Sequence, residues 1–325
     1  MMKCSHLLLF LSAFLQSDAF TLNRCVPRFS KTSLHAADGP PQYDKFQATL
    51  REAEQVGEGS FMLHIDTEDV VDYKPGHVLA LEMEAPPQDD DKIDSKTFED
   101  AKQNGGWMRG PYTVSRSTNK SIDILVKVVG EKSKLFSVAS PGTPLQFGGK
   151  FKVPILEGID IDTTKRIVLI STGVGVGPCV GAIEKALLLG QEESSSFPPI
   201  DLIASYRTEE EIVYKDHLDK LQKEHEDKFA WKAIITSEQG RMSSTADSLR
   251  VLTDTNFAAE LEDTHYHLIG NGGMVTNFKA GLRKAGVNDD KITVEMYFNH
   301  KAEVDEEAVE RIADAVALET AAVPL

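Results

Sequence analysis

The chain has 325 residues, enough for a targeting segment and two domains of ordinary size. Hydrophobic residues make up 41% of it, and 51 acidic against 35 basic residues give a net charge of −16, so nucleic-acid binding is not expected. The cysteines are Cys4, Cys25 and Cys179. Because two of them fall in a predicted leader, the sequence predicts neither an internal disulfide nor a metal site.

Residues 1–37 have the composition of a targeting leader. Lys3 precedes an apolar run, Leu7–Leu15, that is too short to span a bilayer, and a basic, serine-containing stretch then continues to Asp38. The Ala19–Phe20 junction resembles the bipartite plastid leader of algae with secondary plastids, such as diatoms, which implies a plastid protein. The alternative is a plain secretory signal and a secreted protein. No later segment is predicted to be a transmembrane helix.

Residues 45–158 show the pattern of short β-strands separated by turns. The segment SIDILVKVV alternates, so that Ile122, Ile124, Val126 and Val128 face one way. Several such strands predict an antiparallel β-barrel domain. The polar, acidic segment 85–105 is expected to be an exposed loop.

Residues 163–298 alternate between strand and helix patterns, which predicts an α/β domain with a mostly parallel sheet. The predicted strands are 166–170, 199–206, 229–236, 266–270 and 291–298, and the predicted helices are about 178–189, 209–225 and 273–286. The apolar side of the first helix comprises Val180, Ile183, Leu187 and Leu188, and that of the second comprises Ile212, His217, Leu218 and Leu221. His265 and His267 are expected on one face of a strand, without a metal.

Residues 299–325 are predicted to form a C-terminal helical tail. Val304, Ala308, Ile312 and Val316 recur at four-residue steps, so one stripe of this helix must be buried. The tail either crosses the mouth between the two domains and restricts access to it, or docks on the outer face of the second domain.

A glycine turn follows the first strand of the α/β domain. Residues 172–178 read T-G-x-G-x-x-P and open a predicted helix. Glycines let a backbone approach a pyrophosphate closely, and proline at a helix start loses no hydrogen bond. The spacing does not fit the G-x-G-x-x-G of a Rossmann dehydrogenase. It resembles the nucleotide turn of the ferredoxin–NADP reductase family.

Further segments resemble motifs of the same family, in the family's order: residues 73–81, 109–117, 205–214, 236–242, 269–274 and 294–298. The resemblance implies an FAD-binding antiparallel β-barrel followed by an NAD(P)-binding α/β domain. It also implies an FAD-dependent oxidoreductase that transfers electrons between NAD(P)H and a one-electron carrier such as ferredoxin.

The resemblance places the flavin site on the barrel. It implies that Tyr112 lies against the isoalloxazine and that the Thr113 hydroxyl lies near flavin N5. Arg109 is expected to pair with the FAD pyrophosphate, although Gly110 takes the place of the family's arginine. Ser137 is expected to be a second phosphate contact.

The resemblance places the nucleotide site on the α/β domain. The residues expected at the NAD(P) pyrophosphate are Thr172, Gly173, Gly175, Gly177 and Pro178. Arg207, Ser237 and Arg241 resemble residues at the adenosine end. The two arginines favour NADPH, whereas Glu238 favours NADH.

The resemblance of residues 269–274 and 294–298 implies where the hydride site lies. Glu295 resembles the family's C-terminal carboxylate and Tyr297 the ring that covers the flavin, so these two and Thr113 are the predicted catalytic residues. Gly270 and Met274 are expected to contact the cofactor, and Ile269 replaces the family's cysteine. Together with the tail, that replacement leaves open a second interpretation, a reductase-like binding or assembly module with weak or no turnover.

The segment 105–155 is locally basic, with eight cations against two acidic residues. The cations are Arg109, Arg116, Lys120, Lys127, Lys132, Lys134, Lys150 and Lys152. Such a patch can steer ferredoxin or another acidic electron carrier towards the flavin. The alternative is a solvated barrel surface.

Overall fold

A computed structural model of the chain describes residues 43–87, 93–192, 197–244, 249, 252, 257, 259–298 and 300–321. They belong to one compact unit, Tyr43–Leu325. The predicted leader, residues 1–37, lies outside the described residues.

The first seven strands form one antiparallel sheet that curls into a half-barrel, in the order β4-β3-β7-β1-β2-β6-β5. The strands are β1 Lys45–Gly57, β2 Ser60–Thr67, β3 Val78–Glu84, β4 Trp107–Thr113, β5 Arg116–Ser117, β6 Ser121–Lys127 and β7 Pro144–Gly148. The alternation in β6 buries Ile122, Ile124 and Val126 in the core of this sheet, whereas Val128 lies beyond the strand. The predicted antiparallel β-domain is therefore confirmed.

The segment predicted to be an exposed loop, residues 85–105, contains a helix. Helix α1, Ser95–Gln103, begins after Asp94, whose carboxylate accepts a hydrogen bond of 2.9 Å from the Thr97 N–H. This N-cap and the burial of Ala101 stabilise the helix, so the loop prediction is wrong there. A second short helix, α2, covers Glu131–Ser137. Residues 88–92 lie outside the described part of the chain.

The other five strands form a parallel sheet in the order β10-β9-β8-β11-β12. They are β8 Arg166–Thr172, β9 Ile200–Tyr206, β10 Phe229–Ile235, β11 Thr264–Asn271 and β12 Ile292–Phe298. The accompanying helices are α3 Val176–Glu192, α4 Lys215–Glu224, α5 Thr236–Gln239 and α6 Gly272–Lys284. The prediction of an α/β domain after the β-domain is thus confirmed.

Two helices differ from their predictions in detail. The buried face of α3 comprises Cys179, Val180, Ala182, Ile183 and Ala186, whereas Leu188 is 61% exposed and does not belong to it. Segment 209–225 is not one helix, because Tyr214 adopts a left-handed φ of 63° between a short 3₁₀ turn, Glu209–Glu211, and α4. Ile212 therefore lies outside α4.

Among the described residues, one helical stretch, Gly173–Gly190, is long and apolar enough to cross a membrane, and 61% of it is buried inside the protein.

The C-terminal tail forms helix α7, Glu306–Ala321, which packs on α6. Ala308, Ile312 and Val316 are buried, as their spacing predicts, but Val304 is 45% exposed. Close packing depends on Gly281 of α6, where a Cβ would lie 2.5 Å from the Ile312 side chain. The docking alternative is therefore confirmed, and the prediction that the helix crosses the mouth between the domains is wrong.

Candidate functional site

The main cleft lies at the carboxyl edge of the parallel sheet, where the half-barrel meets it. Strand β8 has β9 on one side and β11 on the other, so the chain turns in opposite directions from this strand and leaves a crevice. The cleft has a volume of about 670 Å³. Tyr112 and Thr113 line it from β4, Val174 from the glycine turn, and Glu295 and Tyr297 from β12.

Two of the predicted catalytic residues meet across the two sheets. The Thr113 hydroxyl at the end of β4 donates a hydrogen bond of 2.5 Å to Oε1 of Glu295 on β12. Burial raises the pKa of Glu295 to about 7, although the Thr113 hydrogen bond and the Lys152 charge act in the opposite direction. Glu295 therefore can hold or release a proton near neutral pH, as acid–base groups in active sites do.

Tyr297, the third predicted catalytic residue, is part of the same cluster. Its hydroxyl is buried, and burial together with the neighbouring Glu295 carboxylate raises its pKa well above the ordinary value. Ile269, which replaces the family's cysteine, is fully buried beside Glu295 in the β11–β12 register. The side chain at position 269 is therefore an apolar residue of the core behind Glu295.

The ring of Tyr112 lies over Gly110 of the same strand. A Cβ at Gly110 would lie 2.9 Å from Cε2 of the Tyr112 ring, so glycine at this position leaves room for the ring. Phe136 of α2 contacts the ring edge to face, with centroids 5.5 Å apart. Burial raises the pKa of Tyr112 to about 12, so its hydroxyl stays neutral. The glycine found where the family has arginine thus has a local structural reason.

Arg109 is held on the barrel by other groups. Its Nε lies 3.6 Å from Oε1 of Glu82, and its guanidinium stacks over the Tyr43 ring at 4.9 Å. Glu82 is 2% exposed and also accepts hydrogen bonds from Lys45 at 2.6 Å and Gln146 at 2.8 Å. Arg109 also lines the cleft, so its pairing with the FAD pyrophosphate stays a prediction.

Ser137, predicted as the second phosphate contact, bonds within its own helix, and its phosphate role stays a prediction. It is the last residue of α2, and its hydroxyl donates to the Lys134 carbonyl at 2.8 Å. The first turn of the same helix lines the cleft instead, through Gly130 and Ser133.

The glycines of the turn after β8 serve different purposes. Gly173 has a φ of 53° and its Cβ position faces open space, so its backbone is accessible to a ligand. A Cβ at Gly175 would lie 2.9 Å from the Ile269 carbonyl oxygen, and one at Gly177 2.5 Å from the Ser115 hydroxyl. Gly175 and Gly177 thus allow close packing within the protein.

Two other residues of this motif, Thr172 and Pro178, have structural roles within the protein. Thr172 Oγ1 accepts a hydrogen bond of 2.8 Å from the Asn271 N–H. Pro178 lies in the first turn of α3, where its missing N–H costs no helical hydrogen bond. Of the predicted pyrophosphate contacts, Gly173 is the one whose surroundings leave space for a phosphate.

The predicted adenosine-end residues lie together at the ends of β9 and β10. The Ser237 N–H donates to the Arg207 carbonyl at 3.0 Å, and Arg241 follows on the same exposed edge, together with Glu238. Met274, in contrast, is 8% exposed and packs in the core under α6 and α7. It lies away from the cleft, so a cofactor contact from its side chain is not supported.

Gly270 and the two strand histidines complete the β11 predictions. Gly270 has a φ of 128°, and a Cβ there would overlap the Thr172 hydroxyl, so its role is close packing against the glycine turn. His265 and His267 lie 2.9 and 2.8 Å from the Thr293 hydroxyl, and burial lowers their pKa values to about 4 and about 3. The described residues contain no group of three ligands that could hold a metal ion.

The locally basic segment is largely neutralised in three dimensions. Five of its eight cations form ion pairs with carboxylates from elsewhere in the chain: Arg109 with Glu82, Arg116 with Glu184, Lys127 with Glu211, Lys132 with Asp100 and Lys150 with Asp72. The excess of positive charge counted along residues 105–155 is therefore not a free positive surface.

Comparisons with known proteins address the second domain directly. Residues 169–280 match the sequence family described as the oxidoreductase NAD-binding domain. A search of curated proteins found no significant match.

Solved structures share the fold at low sequence identity. A ferredoxin NADP⁺ reductase from Neisseria gonorrhoeae with bound FAD and NADP is 17% identical, with a TM-score of 0.59 over 78% of this chain and 99% of that one. A Plasmodium falciparum ferredoxin-NADP⁺ reductase with 2′P-AMP is 13% identical, with a TM-score of 0.58 over 78% of this chain and 97% of that one.

A third structure is a larger protein. The flavohemoglobin of Malassezia yamatoensis, with bound FAD and heme, is 19% identical, with a TM-score of 0.58; 78% of this chain aligns with 60% of that one. Residues 169–280 therefore carry an oxidoreductase NAD-binding domain, in a chain whose two-domain fold is that of the ferredoxin–NADP reductases.

Proposed function

We propose that the protein is an NAD(P)H-linked flavoprotein oxidoreductase that transfers electrons between a nicotinamide nucleotide and a one-electron carrier. The observation that carries this proposal is the hydrogen bond between Thr113 of the barrel and the buried, near-neutral Glu295 of the nucleotide domain. Such a buried pair of polar groups, with a strongly shifted carboxyl pKa, in the main cleft of a protein is typical of a reaction site.

The cleft fits the ring of FAD better than its phosphates. Tyr112 offers a flat aromatic surface, and Thr113 and Glu295 offer a shared proton beside it. The phosphate end would rely on the first turn of α2, with Gly130 and Lys132, and on Arg109; both cations are already paired with carboxylates of the protein. FAD, when bound, supplies the conversion of a hydride into two single electrons.

We propose NADPH as the preferred nucleotide. Arg207 and Arg241 lie on the exposed edge where the adenosine end is expected, and guanidinium groups suit a 2′-phosphate. Glu238 on the same edge favours a free 2′-hydroxyl, so the preference depends on which side chain reaches the ribose.

We propose ferredoxin or another acidic protein as the electron carrier. Lys96 and Lys152 line the cleft in addition to the paired cations, and exposed Phe298 and Val129 give it an apolar rim. The rate of electron transfer to an acidic carrier should fall steeply with ionic strength. A rate independent of salt from 0.02 to 0.5 M would exclude this class of partner.

We propose a plastid location on the composition of residues 1–37. Those residues fused to a fluorescent protein should enter the plastid of a diatom cell. The same fusion with Phe20→Ala should be retained outside the stroma. Export of both fusions to the medium would favour the secreted alternative.

The proposed function is tested by the absorbance spectrum and by reduction kinetics. Purified protein should show a flavin spectrum, and NADPH should bleach it. Glu295→Gln should retain FAD but slow the reduction about 100-fold, the range of an acid–base group, whereas Glu303→Gln, an exposed residue before α7, should not.

The second candidate function is a reductase-like binding or assembly module. The ion pair between Arg109 and Glu82 favours it, because Glu82 competes with a phosphate for this guanidinium at the cleft. A colourless preparation that does not take up added FAD would reject the oxidoreductase and support this module.

A further inference from the structure

A bidentate ion pair joins the half-barrel to the nucleotide domain. Nε and Nη2 of Arg116, on β5, each donate a hydrogen bond of 2.7 Å to one oxygen of Glu184, on α3. The two side chains are 29% and 24% exposed, so the pair is mostly shielded from water. Fork-to-fork pairing of this kind fixes orientation as well as distance.

Two further side chains hold this pair in place. The Arg116 guanidinium stacks on the Tyr214 ring at 4.8 Å, and His217 Nε2 lies 2.6 Å from Oε1 of Glu184. Tyr214 is the one non-glycine residue with positive φ in the described part of the chain. A tyrosine keeps this unfavourable conformation only where its surroundings stabilise it.

The backbones beneath the ion pair touch directly. A Cβ at Gly181 of α3 would overlap the carbonyl oxygen of Ser115, and one at Gly177 would lie 2.5 Å from the Ser115 hydroxyl. Ser115 stands next to Arg116 in the chain. The segment after β4 therefore rests on α3 without intervening side chains.

The same segment carries one of the reacting groups. Arg116 follows Thr113 by three residues, and α3, which carries Glu184, follows the glycine turn that lines the cleft. A movement of β4 against α3 would separate Thr113 from Glu295, which contact at 2.5 Å. A displacement of about 1 Å at a reaction site can cost about 100-fold in rate.

We propose that Arg116 and Glu184 are positioning residues, which hold the barrel and the nucleotide domain in the register that lets Thr113 reach Glu295. The proposal rests on the proposed function for its catalytic consequence. The nucleotide-binding edge belongs to one domain, so the ion pair sets the rate of flavin reduction and leaves nucleotide affinity unchanged.

The kinetic test uses Arg116→Gln, Glu184→Gln and the double variant, with stopped-flow reduction of bound flavin by NADPH and calorimetric titration with NADP⁺. Each single variant should slow reduction at least tenfold and change the NADP⁺ Kd less than twofold. The double variant should be no slower than either single. Arg116→Lys, which keeps the charge but loses the fork, should be intermediate.

The matched control is Arg51→Gln, which removes a solvent-exposed ion pair with Asp66 between two strands of the same half-barrel. It should change neither quantity. Unchanged reduction rates in the Arg116 and Glu184 variants, or a rate and an affinity that fall in parallel, would overturn the positioning role.

Hydrogen exchange of the protein without added ligands separates this proposal from the proposed function. Peptides covering 107–117 should exchange at least tenfold faster in Arg116→Gln than in wild type and in Arg51→Gln. If the wild-type protein reduces no flavin, the proposed function fails, and hydrogen exchange alone then tests whether the ion pair positions the two domains. Equal exchange rates in all three proteins would overturn the positioning role.

Discussion

The contact between α7 and α6 allows a quantitative prediction. Ile312 is fully buried, and its side chain lies where Gly281 of α6 leaves no Cβ in the way. Ile312→Ala removes three carbon atoms from this contact and leaves a cavity, because helices packed this closely cannot collapse fully. Val304→Ala is the matched control, since Val304 is 45% exposed on the same stripe.

The magnitude follows from large-to-small substitutions in protein cores. Ile312→Ala should lower the free energy of unfolding by about 3 kcal/mol, within the usual 2–5 kcal/mol. With an m value of about 3 kcal/mol/M, the midpoint of urea unfolding should fall by roughly 1 M. Val304→Ala should change the free energy by less than about 0.5 kcal/mol.

The assay is equilibrium unfolding in urea, followed by the fluorescence of Trp107 and Trp231. The rate of flavin reduction by NADPH in native buffer should be the same in wild type and Ile312→Ala, because α7 packs away from the cleft. Equal stability of Ile312→Ala and wild type, or faster flavin reduction in the variant, would refute this account of the tail.

Three further predictions concern single residues. The pKa of Glu295 is raised to about 7, above the unfolded value of about 4.3, so the folded state binds more protons between these two pH values. The free energy of unfolding of wild type, measured in urea relative to Glu295→Gln, should therefore fall by about 3 kcal/mol from pH 4.5 to pH 8. A difference that stays constant with pH would contradict the burial argument. Gly181→Ala should lower the melting temperature by several degrees through overlap with Ser115, whereas Gly190→Ala, with open space at its Cβ, should stabilise α3 by about 0.5–1 kcal/mol. Arg241→Ala should raise the KM for NADPH about 10- to 100-fold and leave that for NADH nearly unchanged, in steady-state assays; equal effects on both would show that another residue contacts the 2′-phosphate.

The sequence predicted the architecture because local periodicity carries it. Alternation over residues 121–127 and the strand–helix repeat after residue 163 each reflect which side chains face a core. The glycine turn was also visible, since a positive φ at Gly173 and close packing at Gly175 and Gly177 favour glycine there. Motif order identified Thr113 and Glu295 as separate catalytic candidates, and the structure shows that they contact each other at 2.5 Å.

The charges and phosphate contacts were harder to predict because their partners are distant in the chain. Arg116 pairs with Glu184, 68 residues away, so a count over neighbouring residues found an excess of charge that the fold neutralises. Arg109 similarly forms an ion pair with Glu82, on a different strand. The Ser137 hydroxyl bonds to the Lys134 carbonyl of its own helix, a contact that the sequence pattern does not reveal.

The packing of α7 also sets the order in which the chain can fold during synthesis. The β-domain has all seven strands once Gly148 has been made, but the core beneath α6 lacks Ile312 and Val316 until those residues have also been made. At about 5–20 residues per second, that interval lasts roughly 10–30 s. During it, the unpaired α6 surface and the barrel residues Leu125 and Met62, which pack against the nucleotide domain, are exposed on the ribosome. We therefore expect the nascent chain to expose apolar surface, which chaperones bind, until α7 emerges.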